Sequence, residues 1–266
     1  MRTTPKTSAF LLASGLLLCC SVLLAGCKTD KAVRTGTVLG PGSLPTTAGL
    51  PSPDAGKITG IVSFAGTAPP RIAIDMSMDP ACAMAATPNA SEQFIVHNGK
   101  LANVYIYVRS GIPASMAPAG QKPVVLDQRG CRYVPHVIAL QQGGSVEFRN
   151  SDPTMHNVHT MPITAGDRTV DLSEAPGSAP QVQQFAQPET MMPVRCNNHP
   201  WMQAFINISA TPYFAVTGAD GSFTLAGLPP GKYVIAAVQE KLGEQDAAVT
   251  VPANGTVKTD FTFAIK

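Results

Sequence analysis

Four side chains have the types and the spacing of a soft-metal site. Cys196, His199 and Met202 fall within Cys196-Asn197-Asn198-His199-Pro200-Trp201-Met202, at spacing Cys-x2-His-x2-Met. About forty residues upstream, Met155-His156-Asn157-Val158-His159 offers two imidazoles. One of them would complete a His2Cys trigonal set with a weak axial thioether, the donor set of electron-transfer copper. Sulfur suits Cu(I), imidazole suits both oxidation states, and one geometry for both keeps rearrangement small. His156 and His159 are three apart, so on an extended strand they face opposite ways and do not share one ion. Each residue alone has an ordinary reading: a buried thiol, a surface imidazole, a methionine filling a core.

The elements around these residues read as strands. Val137–Leu140, a Gln141-Gln142-Gly143-Gly144 turn and Ser145–Arg149 form a strand-turn-strand unit. Asn150-Ser151-Asp152-Pro153 is turn chemistry that delivers His156 to the start of the next strand. Thr160 to Pro180 reads as a long polar loop, and Gln181 to Phe185 as a strand. Met191–Arg195 leads into Cys196, and Ala204–Ile208 closes the unit. The Cys-to-Met loop therefore joins the last two strands, with the upstream histidine on a separate one. A rigid sandwich carrying its donors at one end holds a metal geometry well.

Cys196-x2-His199-Pro200-aromatic-Met202, preceded by His156-Asn157-Val158-His159, resembles the small blue copper proteins of the cupredoxin fold, amicyanin first and plastocyanin and pseudoazurin more loosely. The resemblance covers roughly residues 133–208. It implies one type 1 copper ion per chain, with His156, Cys196, His199 and Met202 as ligands and Asn157 and Asn197 beside them. Asn197 stands where many relatives carry a small hydroxyl residue. The resemblance also implies an electron port at His199, flanked by Pro200 and Trp201. A buried core position for Trp201 is the competing reading, since Trp is usually largely buried.

The chain extends well beyond this unit. Ile58–Phe64 and Val104–Val108 read as strands, with an Asn98-Gly99 hairpin turn between them. Met76 to Ala86 reads as a short helix or loop. After Pro212, strands alternate with Gly218-Ala219-Asp220-Gly221 and Gly227-Leu228-Pro229-Pro230-Gly231 turns. The Asp-Gly-Ser-Phe and Leu-Pro-Pro-Gly-Lys-Tyr rhythm resembles the carboxypeptidase regulatory-like, prealbumin-like sandwich, a module without catalytic residues. Its usual opening strand is missing after residue 212, but Gly56-Lys57-Ile58-Thr59-Gly60-Ile61-Val62 matches it. The expected fold is all-β: a cupredoxin-like Greek-key sandwich over 124–211, plus a second sandwich built from 57–123 and 212–266 and split by the first. Two consecutive domains are the alternative.

Composition supports short strands over long helices. Of 266 residues, 14% are charged, while Gly (23) and Pro (24) are abundant. Arg2 and Lys6 precede an apolar run from Ala9 to Ala25, which ends in Leu24-Ala25-Gly26-Cys27. This resembles a bacterial lipoprotein signal, residues 1–26, with Cys27 as the lipidated residue. Residues 27–56, rich in Thr, Gly, Pro and Ser, read as a flexible tether. The expected location is the bacterial envelope, lipid-anchored to a membrane.

Losing the signal removes two of 19 basic residues and none of 17 acidic ones, leaving net charge near zero. That argues against a nucleic-acid partner, which demands a basic face. Beyond Cys27, three cysteines remain: Cys82, Cys131 and Cys196. An odd thiol in an oxidising compartment calls for an occupant. A Cys82–Cys131 disulfide with a metal on Cys196 accounts for all three, against two free buried thiols.

Multicopper enzymes need many more histidines than the five here: His97, His136, His156, His159 and His199. The expected function is one-electron transfer to a redox protein partner, without catalysis or a small-molecule substrate. Copper binding and delivery, or a structural surface lipoprotein, are the alternatives.

Overall fold

A computed structural model of the chain describes residues 53–265, apart from 85–88, 116, 118 and 119. The signal segment, Cys27 and nearly all of the tether lie outside the described residues. Among the described residues, no helix is long and apolar enough to cross a membrane. The described residues are all-β, with a single short helix among them, Pro80–Ala83.

Two sheets face each other in the half that carries the Cys196–Met202 loop. One runs Asp171–Glu174, His156–Thr160, Glu189–Arg195, Gln203–Ser209 and Val137–Gln141 in spatial order. The other runs Gln181–Gln184, Ser145–Asn150, Val124–Gln128 and Tyr133–Val134. Their inner faces share one core that includes Leu126, Tyr133, Ile138, Phe148, Val158, Val194 and Ile206. The putting-together of this sandwich is mixed: Val137–Gln141 pairs parallel with Gln203–Ser209, and Val124–Gln128 pairs parallel with Ser145–Asn150. Parallel neighbours require crossovers, so the strands cannot be a simple meander.

Residues from both ends of the chain build the second sandwich. Gly56–Phe64 pairs antiparallel with Ser222–Leu228 and parallel with Thr256–Lys258 and Phe261–Phe263. Its residues alternate between buried and partly buried, with Lys57 exposed, as a strand at the middle of a half-covered sheet should. Gly60 is required there: a Cβ would sit 1.8 Å from the Thr259 carbonyl and 2.6 Å from the Phe223 ring. Tyr105–Ser110 lies between Phe214–Val216 and Gly231–Gln239 in the facing sheet. The 124–211 sandwich is thus inserted into the other.

Val137–Gln141 is buried along its whole length because both of its faces are covered. Ile138 and Leu140 enter the core beneath the Cys196–Met202 loop, while Ala139 packs against Tyr105 and Phe214 of the second sandwich. Across the same contact, His136 Nε2 meets Glu240 Oε1 at 2.7 Å.

Two expectations change. The stretch from Thr160 to Pro180 is not all loop: Asp171–Glu174 forms a strand that pairs with His156–Thr160. Its Asp-Leu-Ser-Glu sequence hides the strand, because Glu174 is buried rather than solvated. The tether is also shorter than expected, since Gly56 already belongs to a strand and the Asp54 carbonyl accepts from Asn254 N–H at 3.0 Å.

Candidate metal centre

The Cys-to-Met loop connects Glu189–Arg195 to Gln203–Ser209, two strands paired antiparallel. The Met202 N–H donates to the His199 carbonyl at 2.9 Å and closes the loop. His156 begins the neighbouring strand, which pairs with Glu189–Arg195 through Arg195 and His159. This register carries His156 to the end of the sheet where the loop emerges. His156, Cys196 and His199 are all buried, and their donor atoms lie within 4.8 Å of one another. Met202 is buried in the same core as Cys196. His159 faces the other way, half-exposed, with Nδ1 3.1 Å from Asp171 Oδ2. His97 is exposed and His136 is committed to Glu240 and to the Gln203 carbonyl.

The thiol is held by main-chain donors. Asn157 N–H points at Cys196 Sγ from 3.3 Å. The Asn157 side chain clamps the loop: its Oδ1 accepts from Asn197 N–H at 3.3 Å, and its Nδ2 donates to Asp171 Oδ1 at 2.7 Å. Asn197 itself is exposed and takes part through its backbone. Burial raises the Cys196 thiol, but His156 and the N–H groups of Asn157, Asn198 and His199 outweigh it and bring it down to about 7. A thiol placed this way is a ready metal ligand.

Both imidazoles are fixed from behind by a carboxylate. His156 Nε2 lies 2.9 Å from Asp152 Oδ2. Asp152 in turn accepts from Gly130 N–H at 2.6 Å and Cys131 N–H at 2.8 Å. Gly130 and Cys131 both have positive φ (65° and 54°), so their successive N–H groups form a small anion-holding concavity. His199 Nε2 lies 3.0 Å from Asp79 Oδ2. Asp79 caps Pro80–Ala83, accepting from Ala81 N–H at 2.7 Å, with proline in its favoured first-turn place. Thr154 Oγ1 donates to Asp79 at 2.8 Å. Burial alone would raise Asp79, but its bonds from His199, Thr154, Ala81 and Cys82 hold it down at about 2. Asp152 is likewise held below the usual carboxylate range, with burial opposing and His156, Cys131 and Gly130 prevailing.

Ionised carboxylates only accept, so each imidazole must present Nε2–H to its aspartate. That leaves a lone pair on each neutral Nδ1, and the two Nδ1 atoms face each other at 2.9 Å. Cys196 Sγ is 3.6 Å from His199 Nδ1. Two lone pairs and a thiolate repel unless a proton or a cation lies among them. Without a metal a proton fills this role: burial opposes charge on His156, but Asp152 and Cys196 raise it to about 9. Metal–donor bonds of about 2.0–2.3 Å set the donor atoms of one ion roughly 3–4 Å apart; here the two Nδ1 atoms are 2.9 Å apart, the His199 Nδ1–Sγ distance is 3.6 Å, and all three donors lie within 4.8 Å. The donor set therefore fits one small soft-to-borderline ion.

Cys82 and Cys131 are joined in a disulfide, and Cys196 is the free thiol among the described residues. The disulfide therefore offers no thiolate to the nearby Asp79–His199 and Asp152–His156 pairs.

One site expectation is corrected. His199 is no exposed port: it is 3% exposed, with Asp79 on its outer nitrogen and Cys82 Sγ 3.8 Å from it. The cause is the turn at residues 79–84, which the disulfide holds over this end of the sandwich. Pro200 is exposed, and Trp201 is half-buried, its ring centroid 5.1 Å from that of His199 and its Nε1–H donating to the Cys131 carbonyl. Sequence reasoning missed Asp79 and Asp152 as histidine partners. Both stand in Asp-Pro pairs, three residues before Cys82 and four before His156, and turn chemistry alone accounted for them.

No protein family's profile matches the chain, and no curated protein matches it. Among solved structures it is similar to a copper-containing nitrite reductase from Thermus scotoductus, at 21% identity and a TM-score of 0.30 over 36% of this chain. The chain spans 25% of the length of that reductase. It is also similar to a mutant of amicyanin in its Cu(I) form, at 17% identity and a TM-score of 0.30, over 39% of this chain and 98% of that one.

Proposed function

We propose that this chain is an envelope-anchored type 1 copper protein that carries one electron at a time to and from a redox protein partner. The observation that supports it is the meeting of two imidazole Nδ1 lone pairs at 2.9 Å beside a buried thiol, with both outer nitrogens tied to carboxylates. Copper bound there supplies a Cu(II)/Cu(I) couple. His156, Cys196 and His199 would hold the ion, with Met202, buried in the same core, as a fourth donor. Asn157 N–H and the loop N–H groups steady the thiolate, and the buried end of the sandwich keeps water out. Four protein donors leave no position for a substrate, which is why the reading is a carrier and not an enzyme. With the His199 edge covered, the exposed Pro200 and the half-buried Trp201 are the proposed route to the partner. Cys27 supplies the lipid anchor and the following residues the reach.

The test is to purify the chain from residue 28 on, add Cu(II), and measure both stoichiometry and absorption. One tightly held copper per chain with an intense blue thiolate-to-copper band is expected. Cys196→Ser should abolish the band, because an alkoxide does not replace the soft thiolate. Labile copper without that band points to delivery, several ions to an enzyme, and none to a structural lipoprotein.

A further inference from the structure

The turn over His199 comes from far away in sequence. Asp79 lies 120 residues before His199, yet its carboxylate ends 3.0 Å from the outer nitrogen of that imidazole. Three separate constraints aim it. Its Oδ1 caps the first turn of Pro80–Ala83, its Oδ2 accepts the Thr154 hydroxyl, and the helix it caps carries Cys82, bonded to Cys131. Cys82 N–H also donates to Asp79, at 3.3 Å, while Cys131 N–H donates to Asp152. Each half of the disulfide thus supports the aspartate that orients one imidazole. The framework spans two loops and both histidines; the histidines and the disulfide are buried, and Asp79 is partly exposed.

We infer that Asp79 is a positioning residue for the copper-loop imidazole, one that fixes the His199 ring and biases the bound copper toward Cu(II). The inference rests on the copper reading above. A ligand imidazole that donates its other N–H to a carboxylate is held in one tautomer and one orientation, and it becomes a stronger donor. A negative charge one ring away from the metal favours the more highly charged ion, and although the Asp79 side chain is partly exposed, the imidazole between it and the ion is buried, so screening by water is reduced. An open His edge would have neither property. Asp152 does the same for His156, so the two imidazoles are strengthened together.

The experiment compares parent and Asp79→Asn, using the whole chain from residue 28 on. Asparagine keeps an oxygen for the helix cap and removes the charge. Cu(II) and Cu(I) affinities are measured separately, by competition with chelators selective for each. Loss of such a partner typically weakens metal binding about 10- to 100-fold. Cu(II) affinity should fall within that range while Cu(I) affinity falls less, so their ratio drops about tenfold, a rise of ~59 mV in potential. A role confined to folding would move both affinities alike and lower the thermal stability of the metal-free protein. Nitrogen NMR of the metal-free parent, which needs no variant, should find the His199 proton on Nε2 and protected from exchange.

A ratio unchanged within about twofold in a copper-binding variant overturns the inference and leaves the copper reading standing. A His199 proton found on Nδ1 also overturns it. Absence of copper binding by the parent overturns both.

Discussion

Replacing Cys82 and Cys131 by alanine should lower stability by about 4 kcal/mol. The two half-cystines are 49 residues apart. A closed loop of that length removes roughly 14 cal/mol/K from the unfolded chain's entropy, or about 4 kcal/mol at 25 °C. Both cysteines are buried, at 0% and 2% exposure, so removing their sulfurs adds to the loss. The loop enclosed by the bond includes Gly56-sandwich residues such as Leu101 and Tyr105 as well as Val124–Gln128 of the inserted one, so its opening loosens both. Trp201 reports on the inserted sandwich, because it is the sole tryptophan and it donates to the Cys131 carbonyl. Guanidinium unfolding followed by its fluorescence, for parent and double variant without metal, measures the difference. A loss under about 1 kcal/mol would refute the loop-entropy reasoning.

Three further outcomes are expected. Met202→Leu should retain copper and the blue band but raise the reduction potential in voltammetry, since a missing axial thioether favours Cu(I); an unchanged potential removes Met202 from the ligand set. Residues 212–266 alone should stay unfolded by circular dichroism, because Gly56–Phe64 pairs with three of their strands and Tyr105–Ser110 lies between two others; cooperative unfolding of that fragment would contradict the split sandwich. Asp260 accepts Ile61 N–H at 2.9 Å, and that bond, with Lys258, holds its carboxyl below the ordinary 3.8. A depressed folded value means stability that is present above pH 3.8 and lost as pH falls through the lower folded one. The stability gap between parent and Asp260→Asn should therefore be full near pH 6 and close on acidification below 3.8; a gap independent of pH would refute the assignment.

The parts of this molecule that were legible in the sequence are those whose signal is local. Cys196, His199 and Met202 sit in one seven-residue loop, and a strand on either side was marked by β-branched and apolar residues. The opposite facing of His156 and His159 follows from strand geometry alone, and one is buried while the other is half-exposed. Gly56–Phe64 was legible for a different reason: its Gly-x-Ile-x-Gly-x-Val pattern matched an opening strand that the C-terminal segment lacked. Asp171–Glu174 was not legible, because an Asp-Leu-Ser-Glu run has no strand propensity and its place is set by pairing with His156–Thr160.

The covered edge of His199 shows what local reading leaves out. Within 196–202 nothing distinguishes a ligand histidine that reaches solvent from one that does not. The difference is made by Asp79, whose own neighbourhood reads as an ordinary helix cap. It is turned into a partner of the imidazole by a disulfide to Cys131, a residue of the inserted sandwich, and by a hydroxyl on Thr154. The sandwich supplies the donors, as its loop and strand register require. The segment outside it supplies the charge and the cover. A sandwich cut out at 124–211 would keep His156, Cys196, His199, Met202 and Asp152, but lose Asp79 and the disulfide together. Such a fragment has an open His199 edge and one carboxylate fewer, so on the proposed copper reading it should bind the metal differently from the whole chain. The inserted arrangement is therefore part of the site and not a tether for it.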